Sequence, residues 1–195
     1  MIGPEHNAPA DGQRLAGRLL VATPLLEDPH FKRTVVLMLD HTDEGAMGIV
    51  VNRPMDVDVS RVLPEWQPYV TAPGRLFQGG PVGLDGALGV VAVPGDDQDP
   101  IGVRRIFGAL GLVDLDVPPQ IVADGVAGLR IFAGHSGWSS GQLEQELAEG
   151  AWYIVDVEAR DPFSDRPDDL WRSVLRRQRG DLAFVSTYPE TPAAN

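Results

Sequence analysis

The residues most suggestive of chemistry lie in the run Gly134-His135-Ser136-Gly137-Trp138. The run begins like the nucleophile elbow G-x-S-x-G, in which a serine at a sharp strand-to-helix turn attacks an acyl carbon. The fifth position is Trp138, however, where the elbow needs a small residue. Adjacent residues of an extended segment also point to opposite faces, so His135 is badly placed to be the base for Ser136. A structural turn is therefore favoured, and a serine hydrolase that uses Ser136 stays as an alternative.

Two other predicted turns carry groups that suit an anion. In Gly79-Gly80-Pro81-Val82 the glycines allow backbone N–H groups to converge on one ligand, although Pro81 removes a donor. A tight turn at a strand end explains the same glycines. In Asn52-Arg53-Pro54, Arg53 either grips a carboxylate or phosphate with two N–H groups or ties down a loop through backbone carbonyls.

Composition and spacing disfavour metal, cofactor and nucleic-acid chemistry. The four histidines include no close pair and no H-E-x-x-H, there is no P-loop motif, and the chain has no cysteine. The formal net charge of −12 opposes binding to phosphate backbones. The one dense basic cluster falls in the last turn of a predicted helix, where the helix dipole favours cations; it comprises Arg172, Arg176, Arg177 and Arg179. We therefore expect no metal, no cofactor and no direct contact with nucleic acid.

The first of these motifs is positioned by a predicted strand, turn and helix between Leu129 and Gly150. The apolar run before Gly134 predicts the strand, and leucines four residues apart predict the buried stripe of the helix. Ser139 and Gln142 match a capping box that begins the helix at Ser139. Gly150 stands where a left-handed residue ends a helix.

The rest of the chain is predicted to be mostly strands with about three helices. Residues 34–40 and 47–51 predict an antiparallel hairpin with a four- or five-residue loop. Residues 167–178 predict a last helix with Gly180 as its C-cap, whose buried face is formed by Leu170, Trp171, Val174 and Leu175. Residues 101–107 and 117–128 are ambiguous. Further strands are predicted at 18–26, 75–78, 87–93 and 151–156. This order favours an α+β fold with a mixed or largely antiparallel sheet.

One domain is predicted to span residues 15–188. The polar residues 1–14 and the tail 189–195 are expected to be disordered. No apolar run approaches 18 residues and no signal peptide is recognisable, so we expect a cytoplasmic protein without a membrane span.

Four segments in this order resemble the AlgH/YqgE family of bacterial proteins. They are Pro24-Leu25 with Asp28 and Phe31, the run from Gly45 to Pro54, Gly79-Gly80-Pro81-Val82, and the run from Gly134 to Leu143. The resemblance extends from about Gly17 to Phe184. His135 departs from the pattern, in which an aromatic residue such as Tyr is usual. The resemblance implies an α+β fold whose mixed, largely antiparallel sheet curls toward a pseudo-barrel with a few flanking helices.

The resemblance also implies a role without an established activity, because members of the family are often labelled transcriptional regulators. A direct transcriptional regulator is thus a second alternative, although no DNA-reading motif is recognisable. We expect the three turns to converge into one shallow pocket for a small anionic ligand or a segment of a protein partner. The candidate pocket residues are Asn52, Arg53, Gly79, Gly80, Pro81, His135, Ser136, Gly137, Trp138 and Gln142. No catalytic residue is assigned.

Overall fold

A computed structural model describes residues 14–95 and 98–190 of the chain. The ends predicted to be disordered fall almost wholly outside these residues, as do Asp96 and Asp97. Across the described ranges, no helix combines the length and the apolar character needed to cross a bilayer.

Ten strands form one sheet in the described part of the chain. They are β1 (Arg18–Ala22), β2 (Val35–Thr42), β3 (Gly45–Val50), β4 (Pro54–Asp58), β5 (Arg75–Gln78), β6 (Val82–Ala92), β7 (Val103–Phe107), β8 (Leu110–Val113), β9 (Gly128–Ser139) and β10 (Trp152–Asp156). The main path runs β10-β1-β2-β3-β9-β6-β8-β7, and β5 pairs with both β4 and β9. Only the β5 and β9 pair is parallel among these strands.

Short helices complete the fold. They are α1 (Pro119–Ala123), α2 (Gln142–Ala148), α3 (Pro167–Arg176) and α4 (Asp181–Val185), with 3-10 turns at Val59–Arg61, Pro64–Tyr69 and Asp161–Phe163. The largely antiparallel sheet curls into a half-barrel, so the predicted fold class is confirmed.

Two of the three buried clusters hold α3 and α2 against the sheet. The apolar face of α3, with Leu170 and Trp171, packs on a cluster that includes Phe77 and Phe132. This face of α3 is the predicted one. The second cluster lies beneath α2 and includes Phe31, Trp138, Leu143, Leu147 and Trp152. Burial of this size supplies most of the stability of such short helices, because helices of one or two turns are marginal alone.

Several predicted boundaries are wrong. The segment 134–139 is not a turn but the second half of β9, because it pairs with β3 from Gly45↔Ser139 to Gly48↔Ser136. The N-cap of α2 is accordingly Gly141, not Ser139. Half of the capping box survives: the Ser139 N–H donates to Gln142 Oε1 at 3.0 Å. The hairpin between β2 and β3 turns through two residues only.

The C-terminal end of α3 also differs from the prediction. The C-cap of α3 is Arg177, not Gly180. Gly180 is instead the N-cap of α4, a helix that the sequence did not predict. Arg177 reaches across from the end of α3 to Asp161, which is 1% exposed, with N–O distances of 2.5 and 2.7 Å. Burial opposes the charge of Arg177, but its bond to Asp161 prevails and raises the pKa of the guanidinium. Part of the predicted basic cluster therefore stabilises the fold.

Candidate functional site

Sheet pairing brings the three motif segments into direct contact. The Gly79 carbonyl accepts from Val50 N at 2.8 Å and from Ser136 Oγ at 3.1 Å, and Gly79 N donates to Ala133 O at 2.8 Å. The backbone N–H of Gln78, the residue before Gly79, donates to the Arg53 carbonyl at 2.8 Å. The segments therefore meet backbone against backbone, and the glycines are what allow it.

Gly80 shows how close this approach is. A methyl group placed on Gly80 would lie 2.2 Å from the carbonyl carbon and oxygen of His135. One placed on Gly79 would lie 2.4 Å from Gly134 O. Both distances are far inside van der Waals contact, so only glycine fits at either position. The Gly79-Gly80 turn is thus required by packing on β9, and one of its N–H donors is already used.

Ser136 does not have the surroundings of a nucleophile. Its side chain is completely buried, and its hydroxyl donates to Gly79 O. His135 is the adjacent position of β9 and faces the opposite side of the strand. His41 lies on β2, which β3 separates from β9, and its ring nitrogens are bonded to Leu15 and Glu144. The geometry therefore gives no support to a serine hydrolase.

The side chains of Asn52 and Arg53 are used inside the fold. Asn52 Oδ1 accepts from Val35 N at 2.9 Å, and its amide donates to Arg33 O at 3.0 Å. Arg53 donates to the carbonyls of Pro29 and Lys32 at 2.8 and 3.0 Å. Burial lowers the pKa of Arg53. Of the two roles considered for Arg53, the structure shows the loop-tying one.

Trp138 and Gln142 belong to a second polar arrangement that the sequence analysis missed. The indole N–H groups of Trp138 and Trp152 donate to the same oxygen, Glu146 Oε2, at 2.9 and 2.8 Å. The Gln142 amide donates to the other oxygen, Oε1, at 3.0 Å. A carboxylate that accepts from two buried indoles fixes both rings and the start of α2 at once. In the sequence, Glu146 is one of several acidic residues on the predicted helix, and its spacing does not indicate this role.

His41 joins three parts of the structure. Its Nδ1 accepts the backbone N–H of Leu15 at 3.1 Å, so the ring proton sits on Nε2, which donates to Glu144 Oε1 at 2.8 Å. That bond lowers the pKa of Glu144. His41 thereby connects β2 with α2 and with the residues that precede β1.

Arg130 is a buried arginine without a carboxylate ion-pair partner among the described residues. It donates to the carbonyls of Pro162 and Ser164 at 3.0 and 2.9 Å and also to that of Ala72. Its guanidinium lies 4.1 Å from the centre of the Phe77 ring. Burial lowers its pKa to about 10. The signal in the sequence is a single arginine inside the apolar run 129–132.

The outward face of β9 carries the exposed part of the motif. Cross-strand pairs share a face of a sheet, and alternate residues of a strand do the same. His135 is opposite Val82, Gly137 is opposite Met47, and Met47 is opposite Asp40. These residues, together with Ser139 and the exposed Leu84 of the adjoining β6 segment, are here called the open face. The inward neighbours Ser136 and Trp138 lie on the other side of β9.

The open face is apolar at its centre. Met47, Val82 and Leu84 are 38%, 46% and 52% exposed. Val82 begins β6, and the four residues that follow form a bulge, since β6 regains its pairing with β9 only at Ala87. The side chain of Leu84 in this bulge lies over Gly134. Apolar side chains grouped on one exposed surface are typical of an interaction site.

A separate cleft of about 520 Å³ lies beside the N-terminus of α3. It is lined by Pro54, Pro73, Arg75, Asp165, Arg166, Pro167, Asp168 and Asp169. None of the candidate pocket residues lines it. Within the described ranges, no group of three or more His, Asp or Glu side chains is arranged to hold a metal ion.

Comparison with known proteins gives consistent matches along the chain. A family model described as AlgH-like matches residues 19–183. A UPF0301 protein of Streptomyces coelicolor is 58% identical over 184 residues, covering 93% of this chain and 95% of that protein.

Two solved structures are similar to the whole fold. The crystal structure of a protein from Corynebacterium diphtheriae has a TM-score of 0.87 at 33% identity, covering 96% of this chain and all of that one. The solution structure of the AlgH protein from Pseudomonas aeruginosa has a TM-score of 0.67 at 27% identity, covering 94% and 98% of the two chains.

Proposed function

Since the chain belongs to the AlgH-like family, as its match over residues 19–183 shows, we propose that it is a regulatory module that acts by binding a protein partner. The observation that carries the proposal is the open face, where Met47, Val82 and Leu84 stay exposed around β9. The proposal places the partner in the cytoplasm and needs no catalytic group.

A protein partner suits the geometry better than a small anion does. The N–H of Gly79 donates to Ala133, and Arg53 donates to two loop carbonyls, so these donors are occupied within the fold. A partner that contacts the open face needs none of them. The net charge of −12 further favours regulation through another protein over direct contact with an operator.

Site-specific photo-crosslinking in cells tests the proposal. A photo-crosslinking amino acid at exposed Ser139 is expected to trap one defined protein, which mass spectrometry identifies. Leu84→Asp should abolish the crosslink, because it places a charge in the apolar centre of the face. Ile121→Asp on α1 is the matched control, since Ile121 is 50% exposed, and it should leave the crosslink intact.

The competing outcomes are distinct. An absent crosslink, or one that Leu84→Asp and Ile121→Asp affect equally, would remove the support for a docking face. Native mass spectrometry of the purified protein tests the alternative ligand, a small anion. A small non-covalent mass that is lost on Arg53→Ala would favour the anion instead.

A further inference from the structure

We propose that the open face binds a segment whose apolar side chains are flanked by lysine or arginine. This inference rests on the proposed function, because it takes the open face as the docking surface. It adds the chemistry of the partner and one slot that receives a partner side chain.

The slot lies over Gly137. A methyl group placed on Gly137 would meet no heavy atom of the described residues within 4 Å, and the backbone there is not in the left-handed region. Met47 stands on the paired position of β3, and His135 stands two residues away on β9. Neighbouring strands are about 4.8 Å apart, and alternate residues of one strand are about 6.6 Å apart. The gap between these side chains therefore has the width of one apolar side chain.

Carboxylates lie on the open face and in the segments beside it. Asp40 is paired with Met47 on the same face, and Asp85 lies in the bulge that follows Val82. Asp43 and Glu44 form the exposed turn between β2 and β3. None of the seven residues that define the open face is a lysine or arginine, and Arg14 bonds to the carbonyl of His41, the residue after Asp40. An apolar slot with a carboxylate rim is complementary to an apolar segment with cationic flanks.

The same charges argue against a second copy of this chain as the occupant. An isologous dimer through the open face would bring each carboxylate rim against its own copy. Each chain also carries a net charge of −12, which adds long-range repulsion. A basic partner is attracted at short range by the carboxylates of the open face and at long range by the net charge of the chain.

Two matched peptides test the charge requirement. The first is Lys-Lys-Leu-Val-Leu-Lys-Lys, and the second has glutamate in place of every lysine. Titration into the ¹⁵N-labelled protein is expected to shift the amide signals of Met47, Val82 and Gly137 with the lysine peptide only. The signal of Ile121 is the internal control. Asp40→Lys combined with Asp85→Lys is expected to weaken the lysine peptide by about tenfold, as two exposed ion pairs allow.

Filling the slot tests the position of the contact. Gly137→Val is expected to abolish the shifts, because its side chain occupies the space that the peptide needs. Ser173→Val, at an exposed position of α3, is the control and should bind normally. Both variants are expected to unfold near the wild-type Tm, because Gly137 has open space around it and Ser173 is exposed; this measurement separates loss of binding from misfolding.

The outcomes separate this inference from the proposed function. Equal binding of both peptides at the open face, or no binding of either beside an intact Ser139 crosslink, would overturn the charge inference and leave the docking face standing. Loss of both the crosslink and the peptide shifts would overturn both. A dimer in analytical ultracentrifugation that Gly137→Val dissociates would make a second copy the occupant and overturn the inference.

Discussion

Glu146 allows a quantitative test of how the buried tryptophans are held. Its Oε2 accepts from Trp138 and Trp152, whose side chains are 6% and 0% exposed. A hydrogen bond to a charged group contributes roughly 1.5–3 kcal/mol, so two such bonds give about 3–6 kcal/mol. Because Glu146 is itself partly exposed, the lower end applies. Glu146→Ala is therefore expected to reduce the free energy of unfolding by about 3 kcal/mol and the Tm by about 6–12 °C.

Two further variants separate the cause of that loss. Glu146→Gln keeps one oxygen that the indoles can share but removes the charge, so about 1–1.5 kcal/mol should be lost. Glu149→Ala removes an exposed carboxylate from the end of the same helix and should change stability by less than about 0.5 kcal/mol. Urea denaturation followed by tryptophan fluorescence measures all three. Equal effects of Glu146→Ala and Glu149→Ala would refute the reasoning.

Three other expectations follow from particular contacts. Gly80→Ala should cost several kcal/mol or prevent folding because of its 2.2 Å overlap, whereas Gly137→Ala should stay within about 1 kcal/mol of wild type; chemical denaturation compares the two. Arg177→Ala should cost about 3–5 kcal/mol by the same assay, because it leaves its buried carboxylate partner uncompensated; a loss below 1 kcal/mol would contradict this. The bond from His41 lowers the pKa of Glu144, so its stabilisation is present above the ordinary pKa of 4.5 and is lost as pH falls through the lowered value. The stability difference between wild type and Glu144→Gln should therefore shrink in acid, and a constant difference across that range would count against the bond.

The features that could be predicted from the sequence are those that local residue patterns determine. The buried stripe of α3 and the left-handed Gly150, with φ of 77°, are both found as predicted. Gly134 and Gly137 misled the prediction because glycine marks turns more often than it marks strands. In β9, Gly134 has φ of 70° and lies against the backbone of the 80–82 segment, while Gly137 simply leaves a gap in the open face. Only the pairing with β3, which is about 90 residues away in the chain, shows that the strand continues.

The candidate site divides along the same line. Adjacency of the motif segments could be predicted in part, since two of them follow strands β3 and β5, but the third lies within β9. The direction of each side chain could not, because it depends on the register of β9 against β3 and β6. Ser136 therefore faces inward toward Gly79, and His135 faces outward toward Val82. The role of Glu146 could not be predicted either, because two of its donors, Trp138 and Trp152, lie on strands β9 and β10 and not on α2.

The position of β9 determines when the protein can fold during synthesis. Strands β1 to β3 and strands β6 to β8 are each contiguous in the chain, but β9 alone joins the two groups in the main path of the sheet. Until residues 128–139 leave the ribosome, β3 and β6 each expose an unpaired edge. About two-thirds of the chain must therefore be made before β9 can join the two groups of strands. The outer edge of β1 stays unpaired until β10 is made. The nascent chain is therefore expected to expose strand edges for longer than a chain whose strands pair in sequence order, which raises its exposure to aggregation.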